Sequence, residues 1–349
     1  MNKIVIIYHT DLDGYGVKVV GRIYANQKGY EDKDIIFIRA DYYKNANSKK
    51  KLFIDDLIDE QIKGHEDEID EIILGDISVK SEEKAEYLNE LSKTKKVILR
   101  DHHDTATWMN KYEWAKVRET DDEGIARSGT YWITKELLID EFVTAYPNLN
   151  KFLYLVDKFD SWEWAKSMPK LKEAQDLAYI YDVLNEEGFD KEFYPKLLLE
   201  NEVELFDEKM KFYLDAMHED LRKATWAAYY SKKVGTYTYK DGDNEIPLKA
   251  CIISTSSGAS SIAEGLREIF AKSNEHYDFI LNVGIGGGLA LRCDENPKVS
   301  VNKIIEQMGT GGGHICSAGG KLPEGAIERG LETIFENLKI EDPKNNYKR

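Results

Sequence analysis

Apolar and polar residues alternate along the first hundred positions in blocks that predict strands and helices in turn. Residues 3–8, KIVIIY, form a compact run rich in β-branched side chains, which is typical of a buried parallel strand. Residues 13–27 place apolar side chains at helical spacing. Further strands are predicted at 34–40, 71–77 and 95–101. With a helix predicted at 84–93, this alternation indicates a parallel, doubly wound sheet, which binds ligands beyond the carboxyl ends of its strands.

The remainder of the chain changes from a helical pattern to a strand-rich one. Residues 130–230 carry helical periodicity, and a strand-rich segment begins near residue 233. Within that segment, residues 278–293 predict a hairpin around a glycine turn. We therefore expect an α/β fold in three parts. These are a doubly wound N-terminal domain over 1–170, a helical bridge over 171–232 and a smaller C-terminal α/β domain over 233–340.

Length, composition and charge restrict the classes of protein that fit. The chain has 349 residues, a formal net charge of −16 and 42% hydrophobic residues, enough for more than one core. It has no apolar run of the ~20 residues that a membrane span needs, and its start shows no secretory signal pattern. Its three cysteines lack CxxC spacing, which argues against a disulfide framework and a cysteine zinc site. We expect a cytoplasmic globular protein that binds neither membranes nor long duplex nucleic acid, because duplex binding requires a basic face.

Histidines and aspartates follow three of the predicted strands at the point where each strand ends. These residues are His9, Asp11, Asp13, Asp76, Asp101, His102 and His103. A single aspartate at such a position is commonly a turn or helix-cap residue. Three strands that end at one sheet edge would instead bring several carboxylates close together. Their mutual repulsion is costly unless bound cations neutralise it. Mixed Asp and His ligands suit a divalent ion such as Mn²⁺, and a shared carboxylate could hold two ions ~3.5–4 Å apart.

The two adjacent histidines are expected to have different roles. Side chains of neighbouring residues in an extended segment point to opposite sides, so His102 and His103 cannot serve one ion equally. One would bind the ion and the other would face the substrate. A surface position is the alternative for such a pair.

Two features of the C-terminal half suggest contacts with an anion. Residues 309–314, GTGGGH, lack the Lys and the Ser or Thr of a phosphate-binding P-loop. Consecutive glycines followed by a histidine could nevertheless present backbone N–H groups to a phosphate or carboxylate, with a flexible turn as the alternative. Arg292 lies in a predicted strand, either as a rim residue or as a clamp for an anion.

With these motifs in their observed order, the chain resembles the DHH/DHHA1 phosphoesterase family, and within it the nano-RNase B branch. Residues 101–103, Asp-His-His, match the sequence that gives the family its name. Residues 9–14, HTDLDG, resemble its first motif, and Asp76 corresponds to its second. The resemblance implies a DHH domain before the helical bridge.

The later motifs extend the resemblance towards the C-terminus. Asp157, with Asp160 close by, corresponds to the fourth motif. Residues 311–314 match the GGGH signature of the DHHA1 domain. The matched motifs span residues 9–320 and imply a DHHA1-like substrate-binding domain after the bridge.

The resemblance also implies a role for each matched residue. One metal ion would be held by His9, Asp11 and Asp76. The second would be held by Asp13, Asp76, His102 and Asp157. Asp101 would orient the site, and His103 would face the scissile phosphate. The far end of the substrate would be held, across a cleft between domains, by Arg292, Gly311, Gly312, Gly313 and His314.

The activity that the resemblance implies is hydrolysis of short single-stranded oligonucleotides to mononucleotides, as by an oligoribonuclease-like exonuclease. The nucleophile would be a hydroxide activated by two Mn²⁺ ions, with Mg²⁺ or Co²⁺ as substitutes. A cyclic mono- or dinucleotide phosphodiesterase would use the same metal site. A pyrophosphate or polyphosphate hydrolase fits less well, as does a non-catalytic nucleotide-binding protein with a structural metal. The sequence leaves open whether two copies of the chain form a homodimer.

Overall fold

The computed structural model describes residues 2–42, 53–167, 169–255, 258–284, 286–294, 296–308, 311–313 and 315–322. The chain divides into two compact units, Met1–Met217 and His218–Arg349. Each unit has its own sheet and its own apolar cores. No helix within the described ranges is both long enough and apolar enough to cross a membrane.

Five parallel strands form the sheet of the first unit. In chain order they are β1 (Lys3–His9), β2 (Ile35–Ala40), β3 (Ile69–Gly75), β4 (Lys96–Asp101) and β5 (Ala115–Val117). Their order across the sheet is β2-β1-β3-β4-β5, and each neighbouring pair is parallel. The predicted parallel sheet is therefore confirmed. The sequence pattern does not predict β5, because three residues at a sheet edge carry too little periodicity.

Helices cover both faces of this sheet. They are α1 (Leu12–Gln27), α2 (Ile54–Gln61), α3 (Glu82–Leu91), α4 (Gly129–Leu137), α5 (Asp140–Ala145), α6 (Pro147–Asp160), α7 (Glu163–Lys166) and α8 (Lys172–Leu197). Successive residues of β1 alternate between two cores: Ile4 and Ile6 pack into the core that contains α1, α6 and α8. Val5 and Ile7 pack into the core that contains α2 and α3. Because both faces of β1 are buried, the strand is an unbroken apolar run.

Helix α8 contributes to the core of the first unit. Its helical geometry is interrupted at Asn185, where φ is 53° and ψ is 175°. After this break, the fully buried rings of Phe189 and Phe193 stack with their centroids 3.9 Å apart. Tyr15 of α1 packs edge-on against Phe189 at 5.1 Å. The first part of the segment expected as a separate bridge, 171–232, therefore belongs to the first unit because its aromatic side chains fill that core.

A six-stranded sheet forms the centre of the second unit. Its strands are β6 (Lys233–Asp241), β7 (Asn244–Ile253), β8 (Phe279–Val283), β9 (Gly288–Arg292), β10 (Gly311–Gly313) and β11 (Ser317–Lys321). The remaining helices are α9 (Glu208–Ser231), which contains the boundary between the units, α10 (Ala259–Ser273) and α11 (Val301–Gln307). The strand order is β10-β11-β9-β8-β7-β6. Helix α10 connects the parallel strands β7 and β8, and the predicted hairpin is present as β8 and β9, so the α/β class is confirmed for this unit as well.

The burial of Phe189 predicts that the segment after Asn185 is necessary for the stability of the first unit. Phe189→Ala removes a fully buried ring and should lower the free energy of unfolding by about 3–5 kcal/mol. Urea unfolding, followed by tryptophan fluorescence and circular dichroism, measures this loss. Phe212→Ala, at a side chain that is 71% exposed, is the matched control and should keep the wild-type midpoint. Equal midpoints for the two variants would show that the segment does not support the core.

Candidate metal centre

Three strand ends bring histidine and aspartate side chains to one edge of the first sheet. His9 is the last residue of β1, Asp76 directly follows β3, and Asp101 is the last residue of β4. Because these strands are adjacent and parallel, their carboxyl ends lie side by side. Asp11 is the N-cap of α1, where its Oδ1 accepts a hydrogen bond from the Gly14 backbone N–H at 3.0 Å. The sheet topology thus gathers residues that are far apart in sequence.

The backbone fixes the position of Asp76. This residue adopts a left-handed conformation with a φ of 57°, which is uncommon for a residue with a Cβ atom. Its N–H donates to the Arg100 carbonyl oxygen at 3.0 Å. Gly129 lies so close that a Cβ atom at that position would be 2.5 Å from the Asp76 Cβ. Such strain persists where the surrounding structure determines the conformation, and it is concentrated at functional sites.

The first group of candidate metal ligands consists of His9, Asp11 and Asp76. One donor atom from each lies within 4.8 Å of the others. The His9 Nδ1 atom is 2.7 Å from Asp11 Oδ2 and 3.7 Å from Asp76 Oδ2. Burial disfavours the charged imidazole, but the Asp11 carboxylate outweighs this effect and raises the pKa of His9 to about 9. A cation bound here through His9 Nδ1 would therefore have to displace a proton.

The second group consists of Asp13, His102 and Asp160, again with donor atoms within 4.8 Å of one another. The His102 Nε2 atom lies 3.3 Å from Asp160 Oδ2 and 3.8 Å from Asp13 Oδ2. The same nitrogen lies 3.2 Å from Asp76 Oδ1. Asp76 therefore contacts both groups through its two oxygens.

The N-terminus of α4 orients Asp13. Its Oδ2 accepts the Gly129 backbone N–H at 2.7 Å, and its Oδ1 accepts the Thr130 backbone N–H at 2.9 Å. The Thr130 hydroxyl also donates to the Asp13 carbonyl oxygen at 2.6 Å. These three hydrogen bonds from the first turn of the helix fix the position of Asp13 and the orientation of its side chain.

Burial and mutual repulsion act on the carboxylates of both groups. Burial, followed by the charge of Asp13, raises the pKa of Asp76 well above the usual range, and the same causes raise the pKa of Asp160. The Asp76 Oδ2 atom is buried and has no hydrogen-bond partner among the described residues. Since buried polar atoms are normally paired, this oxygen fits ligation of a cation. Carboxylate oxygens combined with imidazole nitrogens suit a divalent cation.

Asp101 orients the two histidines that follow it. Its Oδ1 accepts the His102 backbone N–H at 2.7 Å and the His103 Nδ1–H at 2.7 Å, while its Oδ2 accepts the Ser78 hydroxyl at 2.5 Å. Burial opposes ionisation of this carboxyl group, but the adjacent histidines hold its pKa well below the usual range. Asp101 is therefore a carboxylate that fixes Nδ1 as the donor nitrogen of His103.

Tyr42 is a contributor to the site that the sequence motifs do not reveal. Its hydroxyl donates to Asp101 Oδ2 at 3.3 Å and accepts the Ser78 backbone N–H at 3.2 Å. The centre of its ring is 5.6 Å from the His9 ring and 5.5 Å from the His103 ring. Tyr42 thus packs between the first ligand group and His103. A tyrosine two residues beyond a strand has no motif that would mark it.

The structure brings Asp160, and not the expected Asp157, to the ligand groups. Asp157 Oδ2 accepts a hydrogen bond from Arg127 at 2.8 Å, and its Oδ1 accepts the Ser128 backbone N–H at 3.0 Å. Both of its oxygens are therefore engaged, and no ligand group found among the described residues contains Asp157. Asp160 is the last residue of the same helix, slightly less than one turn further on. The spacing of the two aspartates alone does not distinguish them.

Arg292, the expected anion contact, lies on β9 in the second unit. Its Nε and Nη2 atoms donate to the Ser260 hydroxyl oxygen at 3.0 and 2.6 Å, and its Nη1 donates to the Leu291 carbonyl oxygen at 2.7 Å. Burial, followed by the nearby charge of Arg267, lowers the pKa of Arg292 to about 10. The guanidinium group therefore stays charged at neutral pH.

The glycines of the GGGH signature form a strand. Residues 311–313 make up β10 and pair with β11, so the alternative of a flexible turn is wrong for them. A Cβ atom at Gly311 would lie 1.8 Å from the Gly319 carbonyl oxygen, and one at Gly313 would lie 2.4 Å from the Ser317 carbonyl oxygen. Glycine is required here because the strands approach closely. His314 lies outside the described residues.

The chain is similar in sequence or in fold to several known proteins. No family model matches the chain. Oligoribonuclease NrnB of Bacillus subtilis (strain 168) is 26% identical over 332 residues, which cover 94% of this chain and 75% of that protein. The solved DHH domain of a member of a ribosomal protein family has a TM-score of 0.59 at 14% identity, covering 97% of this chain and 86% of that one. RecJ of Thermus thermophilus, solved with Mn²⁺, has a TM-score of 0.49 at 13% identity and covers 98% of this chain and 53% of that one.

The chain is similar to oligoribonuclease NrnB along nearly its whole length. It also shares its fold with a solved DHH domain. Both similarities agree with the resemblance to the DHH/DHHA1 phosphoesterase family that the ordered motifs predict. The resemblance predicted from the motifs is confirmed.

The close approach of Gly129 to Asp76 predicts that the geometry of the site depends on this glycine. Gly129→Ala should displace the Asp76 carboxylate and lower the affinity for Mn²⁺ by about 10-fold or more, as changes to groups that orient metal ligands do. Calorimetric titration with Mn²⁺ measures the affinity. Gly188→Ala is the control, since the nearest atom to its added Cβ is Leu184 Cβ at 3.4 Å. Wild-type affinity in Gly129→Ala would contradict the positioning role.

Proposed function

We propose that the protein is a metal-dependent phosphodiesterase that hydrolyses short oligonucleotides to mononucleotides. The observation that carries this proposal is the pair of ligand groups joined at Asp76, whose buried Oδ2 atom has no hydrogen-bond partner among the described residues. Paired divalent cations are a common means of phosphodiester hydrolysis in nucleases. The name of the Bacillus subtilis relative, oligoribonuclease NrnB, supports short RNA as the substrate class.

Two Mn²⁺ ions are proposed, with Mg²⁺ or Co²⁺ as substitutes. The first ion would be held by His9, Asp11 and Asp76. The second would be held by Asp13, Asp76, His102 and Asp160. Asp160 takes the role that the motif resemblance gives to Asp157. The nitrogen and oxygen donors of both groups are of the kinds that Mn²⁺ accepts.

Asp101 and His103 would support the reaction from the protein side. When bound, the cations would supply an activated water and neutralise negative charge on the phosphate. His103, held at Nδ1 by Asp101, would face the scissile phosphate and donate a hydrogen bond to an oxygen whose negative charge increases. The contact with Asp101 would keep the imidazole of His103 in a fixed orientation towards the substrate. Tyr42 would hold Asp101 in place through its hydroxyl.

The charge of the protein supports a short substrate. A net charge of −16 opposes a long polyanion, whose binding depends on many contacts between phosphates and basic side chains. Arg292 is a cation held by a hydroxyl and a backbone carbonyl group. We propose it as a contact for an anionic group of the substrate. The glycine-rich residues proposed to assist it are Gly311, Gly312, Gly313 and His314.

Asp76→Asn should abolish turnover, because an amide would replace the carboxylate that both ligand groups share. The melting temperature of the metal-free variant should equal or exceed that of the metal-free wild type, since the change relieves repulsion among buried carboxylates. The measurement is a product time course on a 5′-labelled RNA trimer with Mn²⁺. Asp140→Asn, at a side chain that is 72% exposed, is the control and should retain wild-type turnover. Turnover by Asp76→Asn would refute the metal assignment.

The same assay distinguishes the proposed function from its alternatives. The trimer is compared with a long single strand, cyclic AMP, cyclic di-AMP and pyrophosphate under identical conditions. Rapid loss of the trimer with slow loss of the long strand is the expected result. Preferred hydrolysis of a cyclic substrate or of pyrophosphate would replace oligonucleotides as the substrate class. A Mn²⁺-dependent rise in melting temperature without turnover of any substrate would indicate a non-catalytic binding protein.

Asp160→Asn and Asp157→Asn should affect different properties. Asp160→Asn removes a candidate ligand and should lower Mn²⁺ affinity by about 10-fold or more without destabilising the metal-free protein. Asp157→Asn breaks the ion pair with Arg127, which keeps Asp121 as a partner, and should lower the free energy of unfolding by about 1–3 kcal/mol while Mn²⁺ affinity stays near the wild-type value. Calorimetry and thermal unfolding of both variants measure the two effects. If Asp157→Asn alone weakened Mn²⁺ binding, the assignment of Asp160 would be wrong.

A further inference from the structure

Two cysteines lie opposite each other at the ends of β9 and β11 in the second unit. Arg292 of β9 is paired in register with Ser317 of the antiparallel strand β11. Cys293 follows Arg292 and Cys316 precedes Ser317, so the cysteines occupy the next cross-strand position. The Cys293 backbone N–H donates to the Cys316 carbonyl oxygen at 3.2 Å, which extends the ladder by that pair. They are 23 residues apart in sequence, and no local cysteine spacing marks them as a pair.

The two thiols have different surroundings. Cys293 is 5% exposed within the apolar core beside β9, whereas Cys316 is partly exposed. The Cys316 thiol donates to the Asp294 carbonyl oxygen at 3.2 Å. A hydrogen bond between the two thiols, together with burial, raises the pKa of Cys293 above its ordinary value. Cys316 is therefore the thiol that an oxidant in solution reaches first, and Cys293 lies opposite it across the strand pair.

The backbone geometry at this position is compatible with a covalent bond. Directly opposed residues in a hydrogen-bonded antiparallel pair have Cα atoms about 5.5 Å apart. Disulfides span Cα separations of about 4.4–6.8 Å, so the Cα atoms of such a pair lie within the range. The Cβ atoms of a hydrogen-bonded pair are farther apart than the ~3.8 Å of a relaxed disulfide, so the bond would require a small local shift at the strand end. Bonds formed away from ideal geometry are more easily reduced, which favours a reversible bond at a strand end.

We propose that Cys293 and Cys316 are a modification site at which a peroxide forms a reversible disulfide. The Cys316 thiolate attacks one oxygen of the peroxide, which breaks the O–O bond and gives a sulfenic acid and hydroxide. The Cys293 sulfur then attacks the Cys316 sulfur and the S–O bond breaks; the departing hydroxyl group takes the Cys293 proton and leaves as water, and the hydroxide of the first step takes the proton that Cys316 lost. In total, two thiols are oxidised by two electrons and hydrogen peroxide is reduced to two waters. A dithiol reductant reverses the step by thiol–disulfide exchange.

The disulfide would join β9 and β11 next to Arg292. Strand β11 also pairs with β10, which carries the glycine run 311–313. Oxidation would therefore restrict separation of the strands that hold both features. The site does not depend on the proposed phosphodiesterase activity, since it is defined by the two thiols and their register.

The test is a count of free thiols in the folded full-length protein after treatment with hydrogen peroxide. The protein is denatured and alkylated, and peptide mapping identifies the linked residues. Cys251 on β7 is the matched reference, because it is fully buried and part of the same sheet. We expect the wild type and Cys251→Ser each to lose two thiols to one Cys293–Cys316 linkage. Dithiothreitol should restore both.

Single substitutions at the pair make the proposal falsifiable. Cys293→Ser should leave Cys316 as a sulfenic acid that a dimedone probe labels, whereas Cys316→Ser should leave Cys293 unmodified at the same peroxide dose. Circular dichroism confirms that each variant is folded. Three unmodified thiols in the treated wild type, a linkage that includes Cys251, or a disulfide between two chains would each overturn the proposal.

Discussion

Carboxylates that repel one another are held together at the carboxyl edge of the first sheet, and much of the surrounding structure keeps them there. The left-handed backbone of Asp76 places its oxygens beside both ligand groups, and Gly129 provides the space for this turn. The first turn of α4 fixes Asp13, and Asp101 fixes the histidine pair. Such a cluster lowers the stability of the fold, and binding of a cation restores the lost free energy. A bound cation would therefore offset the repulsion that this arrangement of carboxylates imposes on the fold.

Much of the architecture could be predicted from the sequence, because the relevant signals are local. The apolar run of β1 ends at His9, and Asp76 follows β3 directly, so strand prediction also placed these residues at one edge. The helical connections made a parallel sheet the expected topology. The hairpin of β8 and β9 was predictable for the same reason, since its turn and both strands lie within one short segment.

The remaining features depend on contacts between distant segments, which no local pattern encodes. The sequence does not distinguish Asp157 from Asp160 as a candidate ligand, because they lie three residues apart. In the structure, Arg127 on a separate loop binds Asp157, which leaves Asp160 at the ligand groups. Tyr42 joins the site through Asp101, a residue of another strand. The extent of the first unit depends on Phe189, whose burial follows from the break at Asn185. Each of these three features depends on a contact between residues that are distant in sequence.

The order of the ligands along the chain has a consequence for synthesis. His9 and Asp11 leave the ribosome with the first strand, whereas Asp160 is the last residue of α6, in the later part of the first unit. Domains generally fold as units during translation, so an N-terminal strand completes its contacts only when the later segments of its domain have been synthesised. A nascent chain that stops before α6 would display an incomplete set of ligands. A cation could therefore meet the complete set of candidate ligands only after α6 has emerged.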